Sequence, residues 1–206
     1  IYALKHRLID YHRDQLLTER WATCGQFCYV DYPISDVQGS TLGIIGRGCI
    51  GNEVARLAQA VGMRVLFAEH QHATTIREGY TAFDEVLNQA DVISLHCPLT
   101  PQTEQLINAK TLALMKPNAC LINTGRGGLI NEADLLQALQ SGKLAGAALD
   151  VLVKEPPASD DALWLAAKTQ PNLLITPHVA WASDSALTTL VNKVAQNIEE
   201  FVLTGK

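Results

Sequence analysis

Six short apolar runs separated by stretches of helical periodicity constrain this chain more than any other feature of it. The runs are "TLGII" (41–45), "MRVLF" (63–67), "VISL" (92–95), "ACLI" (119–122), "LAGAAL" (144–149) and "LLI" (173–175). Short and without polar alternation, they read as strands buried on both faces. After the first run, Val54, Leu57, Ala58 and Val61 recur at the spacing of a helix face. Asn131, with Asp134 three positions later, reads as the cap of a helix that runs through Leu139 and stops at Gly142. A final helix carries Leu187, Leu190, Val191, Val194, Ile198, Phe201 and Val202 on one stripe and ends at Gly205. Residues 2–20 also read as helix, on a partial stripe of Leu4, Leu8 and Tyr11. A polar and aromatic link broken by Pro33 and Gly39 follows. Such alternation specifies an α/β fold, a doubly wound parallel sheet with flanking helices. The expected division is a helix and linker over 1–34, the sheet domain over 35–180 and a terminal helix over 181–206.

Parallel sheets of this kind hold ligands outside the carboxyl ends of their strands. Just past the six runs stand Gly46, Glu69, His96, Asn123 to Arg126, Asp150 and His178. That is a rim of polar and glycine residues, where chance would supply a mixture. Composition narrows the partners. The net charge of −5 argues against nucleic acid, whose binders carry a basic footprint. No apolar run approaches the ~20 residues of a membrane helix, and "IYALKHRLID" is too charged for a signal peptide. The five cysteines are odd in number, and Cys24 and Cys28 lack a second pair at zinc spacing. Reduced thiols and a cytoplasmic location are expected. His70 and His72 form H-x-H with no third ligand in view, so no metal is expected.

"GRGCIG" (46–51) is G-x-G-x-x-G directly after a strand and opening a helix. In that setting Gly46 allows a tight turn, Gly48 lets backbone approach a pyrophosphate, and Gly51 permits close helix–strand packing. The helix N-terminus supplies N–H groups and partial positive charge for phosphate. Glu69 stands 18 residues after Gly51, at the end of the second strand, where a carboxylate accepts from a ribose diol. No Arg or Lys follows immediately in "EHQHATT". NAD is therefore expected over NADP, in a Rossmann domain.

The remaining rim residues suggest chemistry. Arg126 sits between glycines in "NTGRGG", where a guanidinium can grip a carboxylate bidentately; an ordinary surface Arg is the competing reading. Asp150 can accept from a carboxamide or cap a helix. Glu155 follows the fifth strand and His178 the sixth, so adjacent strand ends can bring them together. A carboxylate beside an imidazole stabilises the imidazolium and orients the ring, which can then donate and recover a proton. Alone, His178 suits a structural role better; with an Arg, a Glu and a cofactor site on one rim, the proton carrier is favoured. His96 reads as a cofactor-wall or structural residue.

These residues lie in "GIIGRGCIG", "LHCPLTPQT", "INTGRGGLI", "GAALDVLVKEPP" and "NLLITPHVAWAS", which closely resemble the D-2-hydroxyacid dehydrogenases. "HCPLT" and "PHVAWAS" are most similar to the glycerate dehydrogenase (hydroxypyruvate reductase) branch. The resemblance spans essentially the whole chain. It implies NAD as cofactor, a small 2-hydroxy or 2-oxo acid as substrate, a homodimer, and Arg126, Glu155 and His178 as the catalytic set. It also implies that Asp150 holds the nicotinamide carboxamide and that Thr124 and Gly125 line the nicotinamide ribose. Cys49, Ile50, His96, Cys97, Pro98 and Thr103 complete the implied cofactor wall, with Arg126, His178 and Ala180. Two departures stand out. Cys49 occupies a loop position where many relatives have Arg, and Arg47 is the candidate replacement. The resemblance also implies a separate catalytic domain ahead of the cofactor domain, which these 206 residues are not expected to include. An NAD-sensing binding module and an inactive nucleotide-binding fragment are therefore the alternatives to a dehydrogenase.

Overall fold

The computed structural model describes residues 1–205. All six apolar runs form strands, within one or two residues of their expected bounds at each end: β1 (Thr41–Ile45), β2 (Arg64–Ala68), β3 (Val92–Leu95), β4 (Cys120–Asn123), β5 (Gly146–Leu149) and β6 (Leu173–Ile175). They pair in the order β2-β1-β3-β4-β5-β6, every pair parallel. The order reverses between β1 and β3, which is where an open α/β sheet leaves a crevice at its carboxyl edge.

The sheet is covered on both faces because alternate residues of its strands feed two cores. Ile45, Ile93, Leu95 and Leu121 belong to one cluster; Leu42, Ile44, Val92 and Cys120 belong to the other. Leu42 and Ile44 are fully buried, each contributing about 1.5–3 kcal/mol by leaving water.

Helix α4 (Cys49–Ala60) follows β1, but its buried face differs from the expected one. Gly51, Ala55 and Ala58 are buried and Val54 packs beside them, while Leu57 is 52 % exposed and Val61 40 % exposed. Small residues let the helix lie close to the sheet, and that proximity, not hydrophobicity alone, selects the face. Helix α7 (Glu132–Gln140) begins as expected, with the Asn131 side chain accepting from the Asp134 amide at 3.1 Å, and Gly142 adopts a positive φ just beyond its end. Between these lie α5 (Phe83–Gln89) and α6 (Ala109–Leu114); α8 (Ala162–Thr169) precedes β6.

Residues 2–20 do not form one helix. They form α1 (Tyr2–Lys5) and α2 (Leu8–Thr18), with α3 (Arg20–Thr23) after them; Arg7 and Glu19 interrupt at φ of 54° and 50°. Leu4 is buried in the second core while Leu8 is exposed, so the expected stripe is split by the turn at Arg7. The final helix, α9 (Asp184–Thr204), is capped by Ser183 and ends at Gly205 as expected. Its apolar stripe, including Leu190, Val191, Ile198 and Phe201, faces solvent. Among the described residues, no helix is long and apolar enough to cross a membrane.

Candidate active site

The strand ends converge at the β1–β3 crevice through the glycine loop. Gly46 adopts φ +106°, and a Cβ there would collide with the backbone of His96 and Cys97 after β3. A Cβ on Gly51 would collide with the Gly46 carbonyl oxygen. These two glycines hold the turn and the helix against the sheet. Gly48 is different: nothing lies within 4 Å of where its Cβ would stand. It is the N-cap of α4, whose first N–H groups have no side-chain cap, as a phosphate site at a helix N-terminus requires.

Gly46, Gly48, Glu69, His96, Cys97, Pro98 and Thr103 line one cavity of about 370 Å³. Ile50, Thr124, Gly125 and Arg126 line a second, of about 620 Å³, and share His96, Cys97 and Pro98 with the first. The two are therefore parts of one continuous trough along the strand ends. Cys49 is exposed and lines neither. The Thr103 hydroxyl is spent on its own loop, donating to the Pro98 carbonyl at 2.7 Å. His96 bonds Ser94 Oγ through Nε2 at 2.9 Å, and burial pushes its pKa down, favouring a neutral wall residue.

Glu69 is 2 % exposed at the end of β2. Its carboxyl is held down to about 2, first by the Arg77 guanidinium, with the His70 and Arg77 amides assisting against the cost of burial. Arg77 makes a bidentate pair, Nε at 2.7 Å and Nη2 at 2.6 Å. The segment directly after Glu69 carries no Arg or Lys, yet a guanidinium from further along the chain reaches it. The loop after β2 turns back and returns Arg77 from eight residues downstream, beyond the reach of a local sequence window.

Arg126 is positioned by Asn123, the last residue of β4 and fully buried. Asn123 Nδ2 donates to the Arg126 carbonyl at 2.9 Å, and its Oδ1 accepts from the Gly125 amide at 3.0 Å. Both ends of the amide clamp the turn. The sequence placed Asn123 on the rim without a role; a lone polar residue closing an apolar strand was the available signal. The Arg126 side chain is exposed and folds back so that Nη1 donates to the Gly125 carbonyl at 2.7 Å.

Glu155 and His178 do meet. Oε2 of Glu155 lies 2.7 Å from His178 Nδ1, and Oε1 accepts from the Leu152 amide at 2.8 Å. The bond to His178 holds the Glu155 carboxyl below its ordinary range despite opposing desolvation, with Leu152 and the charge of Arg126 contributing. With Nδ1 engaged, Nε2 is the ring nitrogen available for proton transfer. The pair lines a third cavity of about 570 Å³ together with Asp150, Thr176 and Trp164.

Asp150 is no helix cap; the helix after β5 is capped by Asp161. Its Oδ1 accepts from Thr176 Oγ1 at 2.5 Å and the Val179 amide at 2.9 Å, and Oδ2 accepts from the Ala180 amide at 2.8 Å. Burial raises its carboxyl, but these donors outweigh burial and hold it below the ordinary value. The three bonds straddle His178, whose φ is +54°. Asp150 thus braces a backbone conformation uncommon for a non-glycine residue, and Ala180 serves this brace. About one acceptor position remains on Oδ2 for a carboxamide.

The open space around Gly48 and the α4 terminus without a side-chain cap fit a dinucleotide phosphate. The comparisons agree. The Haemophilus influenzae protein named provisionally as a 2-hydroxyacid dehydrogenase is 67 % identical over 98 % of this chain and 64 % of its own length. The glycerate dehydrogenase of Methylorubrum extorquens is 45 % identical over 98 % of this chain and 62 % of its own. The D-isomer specific 2-hydroxyacid dehydrogenase of Lactobacillus delbrueckii ssp. bulgaricus, solved in NAD-complexed form, superposes with a TM-score of 0.83 at 31 % identity, covering 98 % of this chain and 63 % of that one. The chain thus spans less than two thirds of the length of the relatives it matches. The family described as D-isomer specific 2-hydroxyacid dehydrogenase, NAD binding domain, matches residues 2–180, and the chain belongs to it.

Proposed function

We propose that the protein containing this chain is an NAD-dependent oxidoreductase that interconverts small 2-hydroxy and 2-oxo acids, D-glycerate and hydroxypyruvate first among them. The observation that carries this reading is the 2.7 Å Glu155–His178 pair on the same rim as Arg126 and the glycine loop. The trough that includes Gly46, Gly48, Ile50, Thr124 and Gly125 would hold the cofactor, with Asp150 near its carboxamide. When bound, the cofactor supplies or accepts the hydride. Arg126 binds the substrate carboxylate and polarises the adjacent carbonyl. His178 presents a proton at Nε2 for the forming alkoxide and takes it back in the reverse direction. Glu155 holds the ring in one orientation through its bond to Nδ1.

The glycerate-type assignment rests on the "HCPLT" and "PHVAWAS" segments and on the 45 % identity to a protein named glycerate dehydrogenase. The exposed stripe of α9 is consistent with that helix packing against a further part of the protein, and we assign the whole protein as a cytoplasmic homodimer on the family resemblance. Steady-state assays of the full-length protein with NADH against hydroxypyruvate, glyoxylate and pyruvate test the proposal. Highest kcat/KM on hydroxypyruvate is expected. Turnover of none of the three would overturn it.

A further inference from the structure

Both carboxylate oxygens of Glu69 are fully engaged by protein donors. Oε1 accepts from the His70 amide at 2.8 Å and Arg77 Nη2 at 2.6 Å; Oε2 accepts from Arg77 Nε at 2.7 Å and the Arg77 amide at 3.1 Å. A carboxylate offers about four acceptor positions. A ribose diol therefore finds none free while the Arg77 guanidinium stays in place.

The guanidinium forms the outer surface of this end of the cavity: its side chain is 54 % exposed, while that of Glu69 is 2 % exposed. Arg77 leans on the Tyr80 ring at 4.1 Å. A second cation stands near that ring, with Arg47 at 5.3 Å from Tyr80 and 4.5 Å from Phe67. Arg47, Glu69, Arg77 and Tyr80 all line the same 370 Å³ cavity as the glycine loop. Two guanidiniums thus line this end of the cavity with one carboxylate, which Arg77 already pairs, so the lining carries surplus positive charge. Arg77 uses only Nε and Nη2 on Glu69, so Nη1 remains for another acceptor.

Displacing Arg77 exchanges two charge-assisted bonds for two from neutral hydroxyls, which are roughly half as strong. The half-exposed position keeps that loss modest, so the diol can enter but at reduced advantage. A 2′-phosphate requires no such exchange, since it meets guanidiniums and a carboxylate already neutralised. We infer that Arg77 is the specificity-determining residue at the adenosine ribose, capping Glu69 and, with Arg47, admitting NADP(H) alongside NAD(H). The inference rests on the dinucleotide reading of the trough.

The test is a titration of the 206-residue chain with NADH, NADPH and ADP-ribose by calorimetry, in the native form and as Arg77→Gln and Arg77→Lys. The native Kd values for NADH and NADPH should lie within roughly tenfold of each other. In Arg77→Gln, NADH should tighten and NADPH weaken, moving their ratio by about tenfold or more toward NADH. Arg77→Lys should retain part of the NADPH affinity, and added salt should weaken NADPH more than NADH. A ratio unchanged in Arg77→Gln, with both ligands still bound, overturns the inference and leaves the dinucleotide site standing. Failure of the native chain to bind any of the three ligands overturns the site and the inference together.

Discussion

The Nδ1 atom of His178 lies 2.7 Å from Oε2 of Glu155, while Oε1 of the same carboxylate is tied to the Leu152 amide at 2.8 Å. One oxygen fixes the carboxylate to the backbone and the other fixes the ring. The imidazole is consequently oriented from β5's loop although it is carried by the loop after β6. In the full-length protein, His178→Gln should leave NADH affinity nearly intact and lower the rate by ~10²–10⁴, the usual worth of a general acid–base. Steady-state rates beside a direct NADH titration separate the two effects, and an unchanged rate would return His178 to a structural role.

Glu155 is held below the ordinary carboxylate range, chiefly by His178, so it stays ionised where imidazoles titrate. Glu155→Gln replaces a charge-assisted bond at Nδ1 by a neutral one about half as strong and loosens the orientation of the ring. In the full-length protein kcat should fall by roughly tenfold or more in both directions while NADH affinity stays nearly unchanged. Steady-state rates beside an NADH titration check this, and unchanged rates would show that the bond does not position the ring.

Asp150 offers a stability prediction. It accepts three bonds around His178, and an amide can supply only one acceptor oxygen there. Asp150→Asn should cost about 1 kcal/mol in urea unfolding by leaving part-buried donors unpaired. Because the native carboxyl lies below its ordinary value, its contribution is present above the unfolded pKa and lost as pH falls through the native one. The native-to-variant gap should therefore shrink on acidification below the ordinary aspartate range. A gap that is the same at neutral and acid pH would refute this account.

Gly51→Ala tests the loop. The added methyl would meet the Gly46 carbonyl and force α4 away from the turn. Overpacking of this kind costs about 1–3 kcal/mol, so NADH affinity should fall ~10-fold or more while Gly48, with open space before it, tolerates Ala structurally. Circular dichroism should show a folded variant; retained NADH affinity would mean the phosphates are bound elsewhere.

The isolated 206-residue chain should bind NADH yet reduce hydroxypyruvate orders of magnitude more slowly than the full-length protein. The His178 side chain is 43 % exposed and Arg126 is also exposed, so among the described residues nothing closes over a substrate there. Positioning and exclusion of water can supply ~7–11 kcal/mol of a barrier. Full activity in the isolated chain would show that the substrate site is misplaced.

The strands, the capped helix at Asn131, the glycine loop, and Arg126, Glu155 and His178 as rim residues were all legible in the linear order. Their signals are local: apolar runs, cap spacing and a contiguous motif, combined with the rule that ligands sit at strand ends. Local signals stop where the chain turns back on itself. The break at Arg7 and the buried Gly51–Ala55–Ala58 face of α4 depended on how closely each segment approaches the sheet. Arg77 reaching Glu69, Asn123 clamping the Arg126 turn and Asp150 bracing the residues around His178 are pairings made by loop conformation. A buried carboxylate or amide draws its donors from whatever backbone and side chains the packed fold delivers to it, and periodicity carries no record of that delivery. The sequence determined the sheet, the glycine loop and the residue types on the rim; only the tertiary structure decided what each polar group holds, because hydrogen-bond partners are chosen by distance in space.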